Sequence, residues 1–142
     1  MELVLDFNVV FSALYGGKVS IELFMLNHVL REITFLVPSY FWKELDRKRE
    51  KLMNITRLSE NELDFVLRII KSQTIEVPVE VFSEKLNEAE RLSPDPKDVP
   101  YVALALALGV PILTGDLKLR KGLEGKLRVY SPSELLDILK EM

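Results

Sequence analysis

The stretch from Asp95 to Asp116, DPKDVPYVALALALGVPILTGD, decides the fold. Residues 99–108 form an almost wholly apolar run that is typical of a buried helix, and Gly109, which follows it, is a residue that commonly ends helices. Residues 110–113 are then a short apolar run, as expected of a buried strand in a parallel sheet. A buried helix that leads directly into a buried strand predicts an α/β domain.

The same alternation of short apolar runs and helical patterns continues in both directions along the chain. Four further apolar runs predict strands, at residues 3–5, 35–37, 74–77 and 127–130. Helical patterns separate the strands, at residues 19–31, 39–53, 59–72, 79–92, 117–123 and from 133 onward. We therefore predict a single domain over residues 1–142. Its expected fold is a three-layer α/β/α sandwich with a central parallel sheet of about five strands.

Acidic side chains stand where parallel sheets bind ligands, at the carboxyl ends of the strands. Asp6 directly follows the first strand, and Asp116 closely follows the fourth. Asp98 begins the buried helix, where the helix dipole stabilises an ionised carboxylate. Glu44 lies on the helix after the second strand, in an otherwise aromatic and apolar opening. These four acids are the candidates for one site.

Each acid also has a purely structural explanation. Asp98 can cap its helix and Asp116 can occupy a turn, and both roles are common for aspartate. Glu44 can be solvated helix surface, as most glutamates are. Asp6 is harder to explain in this way, because it ends an apolar strand and precedes further apolar residues. Burying its carboxylate without compensation is costly, and a metal ion is a candidate for that compensation.

Composition narrows the chemistry. The formal net charge of −3 argues against a broad basic surface for nucleic acid, although it allows a local basic track. The chain has no cysteine and one histidine, His28, which excludes thiolate sites and any site that needs two histidines from one chain. Oxygen ligands remain, and they select hard cations such as Mg²⁺ or Mn²⁺.

Neither a signal-peptide pattern nor an apolar run of membrane-spanning length is present, so we expect a cytoplasmic protein.

Several carboxylates in one pocket have a physical consequence. Like charges held close together repel and raise one another's pKa. A divalent cation reverses that penalty, lowers the pKa of water and stabilises charge on a reacting phosphodiester. Such a site needs no histidine, cysteine or lysine nucleophile.

Three motifs, in this order and spacing, resemble those of the PIN-domain family. Residues 5–10, LDFNVV, resemble the family's apolar strand ending in Asp-Thr-Asn-Val. Residues 95–107 resemble its acid followed by an alanine-rich helix, and residues 111–116, PILTGD, resemble its strand-Thr-x-Asp motif. Glu44 stands where the helical glutamate of the family falls. The resemblance covers essentially the whole chain, and the ordered set is more specific than any one motif.

This resemblance implies a Mg²⁺- or Mn²⁺-dependent ribonuclease. The residues that match the catalytic acids of the family are Asp6, Glu44, Asp98 and Asp116, of which Asp6, Asp98 and Asp116 match the metal ligands. The implied reaction is hydrolysis of an RNA phosphodiester to 5′-phosphate and 3′-hydroxyl ends.

Two further residues match positions beside the metal, Asp95 is an additional acid close to them in the sequence, and one residue departs from the pattern. Asn8 and Thr114 correspond to hydrogen-bonding groups, and Asp95 either joins them or serves only as a turn residue. Phe7 replaces the small hydroxyl residue that usually follows the first aspartate. This departure supports an alternative, in which the chain is a catalytically weak or inactive PIN-fold module that binds RNA or protein. A phosphatase of the haloacid-dehalogenase type fits less well, because it needs a second aspartate at position 8.

The resemblance also implies partners. Many single-domain prokaryotic members are VapC-like toxins that pair with an antitoxin, so an RNA substrate and an antitoxin protein are both expected. Lys43 and Arg47 flank Glu44, and Lys118 and Arg120 follow Asp116, so we expect these four cations either to bind RNA phosphates or to be ordinary solvated surface. The apolar faces of the helices at residues 19–31 and 62–70 favour a homodimer.

Overall fold

Five parallel strands form the centre of the computed structural model, which describes residues 1–142. The strands are β1 (Glu2–Leu5), β2 (Thr34–Pro38), β3 (Thr74–Val77), β4 (Ile112–Leu113) and β5 (Val129–Tyr130), in the sheet order β3-β2-β1-β4-β5. Every neighbouring pair is parallel. The predicted α/β fold with a five-stranded parallel sheet is therefore confirmed.

Helices cover both faces of the sheet. They are α1 (Phe7–Leu14), α2 (Lys18–Leu30), α3 (Phe41–Arg47), α4 (Arg49–Thr56), α5 (Glu60–Lys71), α6 (Val79–Phe82), α7 (Leu86–Leu92), α8 (Val99–Leu108), α9 (Leu117–Gly122) and α10 (Pro132–Lys140). Two 3₁₀ turns, Ser83–Lys85 and Pro96–Asp98, precede α7 and α8. No single helix is long and apolar enough to cross a membrane.

Alternate side chains of β1, β2, β4 and β5 pack into two separate cores, as the period of a β-strand requires. Leu3 and Leu5 of β1 belong to a core of 23 buried residues with α1 to α5 and α10, whereas Val4 belongs to a core of 12 with α6 to α9. The central residues of α8, Val102 to Ala105, are fully buried in the second core. The expectation that this helix is buried therefore holds for its centre, whereas Leu108 at its end is 41% exposed.

Three local features differ from the sequence expectations. Residues 7–14, to which no element was assigned, form α1, because the carboxylate of Asp6 caps it and its buried face follows the helical period. The single helix expected over residues 39–53 is divided into α3 and α4 at Lys48, whose backbone angles, φ −94° and ψ 8°, are not helical. The helix expected over residues 79–92 is interrupted by the first 3₁₀ turn.

Candidate metal centre

The candidate site lies at β1, where the order in which strands are added to the sheet reverses. From β1 the chain builds outward to β2 and β3, and it then crosses to the other side of β1 to form β4 and β5. The carboxyl ends of β1 and β4 therefore form a topological switch point, which is the usual ligand site of an open α/β sheet. Asp6 follows β1 and Asp116 follows β4, so the topology alone brings two acids from distant parts of the chain together.

An open pocket of about 420 Å³ occupies this position. All four predicted catalytic acids line it, together with Asn8 and Asp95. The complete lining is Asp6, Phe7, Asn8, Tyr40, Glu44, Lys48, Asp95, Pro96, Lys97, Asp98, Pro100, Tyr101 and Asp116. Five carboxylates and two ammonium groups thus share one cavity, which leaves the pocket strongly negative.

Asp6 is buried, with 3% of its surface exposed, and is held by Thr114. The hydroxyl of Thr114 donates a hydrogen bond of 2.7 Å to Oδ2 of Asp6, and the backbone N–H of Asp116 donates one of 3.1 Å to the same hydroxyl. Thr114 therefore links the two strand-end acids and fixes the Asp6 carboxylate. Asn8 contributes through its backbone N–H, which lies 3.5 Å from Oδ1 of Asp6, while its side chain makes no hydrogen bond.

Asp116 has a structural role as well as a place in the pocket. Its Oδ1 accepts hydrogen bonds from the backbone N–H groups of Lys118, at 2.9 Å, and Leu119, at 3.3 Å, and so caps α9. A carboxylate at a helix N-terminus is held in position and stabilised as an anion. Its Oδ2 makes no hydrogen bond within the chain and remains available to a ligand.

Asp98 differs from the other acids because it has no partner. It precedes α8, yet its side chain makes no capping hydrogen bond. Its Oδ2 is the only buried side-chain nitrogen or oxygen in the chain without a hydrogen bond. Burial, together with the neighbouring charges of Asp6, Asp116 and Asp95, raises the pKa of Asp98 to about 6. A buried carboxylate without a partner is costly and calls for a ligand.

The remaining acids lie nearer the surface. Glu44 is partly exposed, and its Oε1 lies 2.9 Å from a guanidinium nitrogen of Arg47. Asp95 accepts a hydrogen bond of 2.9 Å from the backbone N–H of Lys97, which is a turn contact, and it also lines the pocket.

Two tyrosines complete the wall, and the sequence analysis gave them no role. Burial raises the pKa of Tyr101, and the charges of Asp6, Asp98 and Glu44 add to the effect. Burial and the charge of Glu44 also raise the pKa of Tyr40. Both hydroxyls therefore stay protonated at neutral pH and can donate hydrogen bonds. The only sequence signal for Tyr101 was its position, three residues after Asp98, the acid of the alanine-rich motif.

The donor set suits a hard divalent cation, although the carboxylates are not gathered around a common point. Every candidate ligand is an oxygen, as Mg²⁺ and Mn²⁺ prefer, and Oδ2 of Asp98 has no other partner. As the side chains lie, no three acidic or histidine residues form a ligand set for one ion. Burial and, to a lesser extent, the charge of nearby Asp116 raise the pKa of Asp6, as expected for carboxylates that share a pocket without a cation. The residues therefore fit the ion by chemistry and by their place in one pocket, and their side chains would need to rotate to bind it.

None of the four basic residues named as candidates for RNA binding lines the pocket. Arg47 pairs with Glu44, and Arg120 pairs with Glu134 through both of its terminal nitrogens. Lys43 and Lys118 are exposed and do not line the pocket. The two cations that do line it are Lys48 and Lys97, and neither makes an ion pair. Lys48 follows Glu44 by four residues and Lys97 directly precedes Asp98, and this closeness was the available sequence signal for their place in the pocket.

Together, these features define a class: an open parallel α/β domain with a carboxylate-lined pocket at the switch point of its sheet. The model of the PIN domain matches residues 4–129, and the chain belongs to the PIN-domain family. Members of this family are generally nucleases that use divalent metal ions. A comparison with curated proteins gave no match.

Proposed function

We propose that this protein is a Mg²⁺- or Mn²⁺-dependent endoribonuclease that hydrolyses RNA phosphodiesters. The observation that carries the proposal is the unpartnered Oδ2 of Asp98, buried in one pocket with Asp6 and Asp116. A buried carboxylate without a partner, beside two others, is destabilising unless a cation binds among them. A site of that kind handles phosphodiesters without a protein nucleophile.

Asp6, Asp98 and Asp116 would hold the ion, and Glu44 would support it or orient the attacking water. When bound, the ion supplies water activation and stabilisation of charge on the phosphate. Thr114 fixes the carboxylate of Asp6 through its hydrogen bond of 2.7 Å. The protonated hydroxyl of Tyr101 can donate to a phosphate oxygen in the same pocket.

The bond changes follow from the products expected of the reaction. Water attacks in line, its oxygen forms a bond to phosphorus, and the bond between phosphorus and the 3′-oxygen breaks. The 3′-oxygen leaves as a hydroxyl, and the 5′-phosphate remains on the other fragment. A proton therefore passes from water to the leaving oxygen, with the solvent and the pocket acids as carriers.

The test is cleavage of a panel of structured RNAs with Mn²⁺ and with chelator, combined with calorimetric titration of Mn²⁺. The wild-type chain should cut only with the metal, and Asp6→Asn should lose both cleavage and metal binding. Asp137→Asn is the matched control, because Asp137 is an exposed acid of α10 outside the pocket. RNA binding without metal-dependent cleavage in the wild type would instead favour a catalytically inactive PIN module.

Partners are proposed on a second surface. Helices α2 and α5 enclose a wholly apolar groove of about 140 Å³, and Phe65 beside it is 59% exposed. A second copy of the chain would bury this surface in a homodimer, and an antitoxin helix is the other expected ligand of a VapC-like protein. Light scattering of wild type and Phe65→Lys tests the dimer: the variant should be monomeric, and an unchanged mass would exclude this interface.

A further inference from the structure

The break between α3 and α4 places a lysine at the pocket. In a continuous helix, Glu44 and Lys48 would be neighbours on one face, since they are four residues apart, and would form an ion pair. The helix instead ends at Arg47, and Lys48 takes a non-helical conformation. Arg47 occupies Oε1 of Glu44, and Lys48 lines the pocket without an ion-pair partner. Lys48 therefore does not pair with the glutamate that lies one helical turn before it in the sequence.

Phe7 holds this lysine in place. The Nζ of Lys48 lies over the ring of Phe7, 5.4 Å from its centroid, which is a favourable cation–π distance. Phe7 is fixed in turn by an edge-on contact with the buried Phe41, whose ring centroid is 5.7 Å away. Phe7 and Lys48 line the same pocket as the buried acids, so the contact holds the ammonium group at the wall of that pocket.

The surroundings of Lys48 indicate that its ammonium group binds an anion. A lysine beside five carboxylates would be expected to pair with one of them, yet Lys48 forms no ion pair. An ammonium group fixed by an aromatic ring at the edge of an acidic pocket is free to bind an anion that enters there. If the pocket cleaves RNA, that anion is a backbone phosphate.

We propose that Lys48, positioned by Phe7, binds the RNA phosphate adjacent to the one that is cleaved. This inference rests on the proposed ribonuclease function. It gives Phe7, the residue at which the chain departs from the PIN motif, a positive role as a positioning residue. Lys48 supplies charge for the substrate, and the acids supply charge for the metal.

The test measures the affinity of Ca²⁺-loaded protein for a short single-stranded RNA, because Ca²⁺ takes oxygen ligands but activates water poorly and so leaves the RNA intact. Lys48→Met should weaken binding roughly tenfold, as expected for loss of one charge-assisted hydrogen bond. The salt dependence of log affinity should fall by roughly 0.7, the contribution of one phosphate contact on a single strand. Lys48→Arg should retain most of the affinity, and calorimetric Mn²⁺ binding should be unchanged in both variants.

A second set of variants isolates the role of Phe7. Phe7→Leu should weaken RNA binding about two- to fivefold, because it removes the cation–π contact, whereas Phe7→Tyr should not. In the Lys48→Met background Phe7→Leu should have no further effect, which a merely structural role of Phe7 would not predict. Lys71→Met is the matched control, since Lys71 lies 5.8 Å over the ring of Trp42 but outside the pocket.

The outcomes separate this inference from the function on which it rests. If wild type cleaves RNA with Mn²⁺ but Lys48→Met binds RNA as tightly as wild type, the role of Lys48 is wrong and the nuclease stands. If Lys48→Met tightens Mn²⁺ binding and leaves RNA affinity unchanged, Lys48 is only a counter-ion and the inference is overturned. If wild type does not cleave but Lys48→Met loses RNA affinity and salt dependence, the phosphate site stands and the nuclease fails.

Discussion

Two buried polar clusters lie at opposite ends of the strands in the same sheet. One satisfies its own hydrogen bonds, and the other does not. Before β2 and β3, the fully buried Asn27 exchanges hydrogen bonds with the backbone of Ile33, at 2.8 and 2.9 Å, and donates to Gln73 at 2.8 Å. Gln73 donates to the carbonyl of Phe24 at 2.8 Å. After β1 and β4, in contrast, Asp98 is buried with an oxygen that has no partner.

The difference between the clusters separates structure from function. The neutral amide cluster, Asn27 with Gln73, satisfies its own hydrogen bonds and joins α2 to the starts of two strands, so it stabilises the fold. The acid cluster, Asp6 with Asp98 and Asp116, is charged and incomplete, so it costs stability until a ligand arrives. Incomplete polar groups of this kind are expected at functional sites, where binding compensates for the strain.

The largest effect should follow from removing the unpartnered charge. Asp98→Asn should lower Mn²⁺-dependent cleavage at least ~100-fold, because the metal supplies several kcal/mol of transition-state stabilisation. The same variant should be more stable than wild type in chelator, since it no longer buries a charge. Cleavage rates and thermal unfolding at neutral pH check the two parts. Cleavage within threefold of wild type would remove Asp98 from the site.

Breaking the amide cluster should have the opposite result. Asn27→Leu should lower the free energy of unfolding by about 2–4 kcal/mol, because the buried backbone groups of Ile33 and the side chain of Gln73 lose partners worth about 1–3 kcal/mol each. Mn²⁺ affinity of the folded fraction should not change. Denaturant unfolding and metal titration below the transition test this. If the variant has normal stability but binds metal more weakly, the amide cluster and the acid cluster are coupled.

The acid cluster should make the metal-free protein pH-dependent. The pKa of Asp98 is raised from its ordinary value to about 6, so the folded state binds its proton more tightly than the unfolded chain does. This contribution to stability is therefore present below about pH 4 and is lost as the pH rises through about 6. It should reach at most ~3 kcal/mol, since one pKa unit corresponds to about 1.36 kcal/mol.

Unfolding of wild type and Asp98→Asn in chelator, measured from pH 4 to 8, isolates this contribution as their difference. Asn27→Leu is the control: it keeps Asp98, so the difference between its stability and that of wild type should not change with pH. Saturating Mn²⁺ should stabilise wild type more at neutral pH than at pH 4, because the carboxylates must be deprotonated to bind the metal. A constant difference between wild type and Asp98→Asn across this range would mean that Asp98 is not buried as a free acid.

The smallest effect concerns the link between the strand-end acids. Thr114→Val should lower cleavage about 10–100-fold, the usual cost of losing a hydrogen-bonding partner of a metal ligand. Thr114→Ser should restore most of the activity, because it returns the hydroxyl to Asp6. Steady-state kinetics at fixed Mn²⁺ compares the variants. Normal activity in Thr114→Val together with a loss in Thr114→Ser would indicate a packing role for the methyl group instead.

Much of the site could be predicted from the sequence because it depends on strand ends. Asp6 and Asp116 end apolar runs, and the carboxyl ends of neighbouring parallel strands meet at one edge. Helix α1 was missed because its residues, rich in valine and phenylalanine, have weak intrinsic helix propensity, and the cap and buried face decide its formation. The sequence did not show whether Arg47 and Arg120 are free to bind RNA, because this depends on their ion-pair partners. Arg47 pairs with Glu44, and Arg120 pairs with Glu134, which is 14 residues away in the chain.

The sequence by itself determined the alternation of strands and helices, the parallel sheet, and which acids stand at its carboxyl edge, because these follow from local periodicity and chain direction. Only the tertiary structure decided which charges are satisfied. Thr114 reaches Asp6 across 108 residues, Phe7 rather than a carboxylate holds Lys48, and Asp98 alone keeps a buried oxygen without a partner. Satisfaction of a polar group depends on what packs against it in space, and no local pattern contains that information.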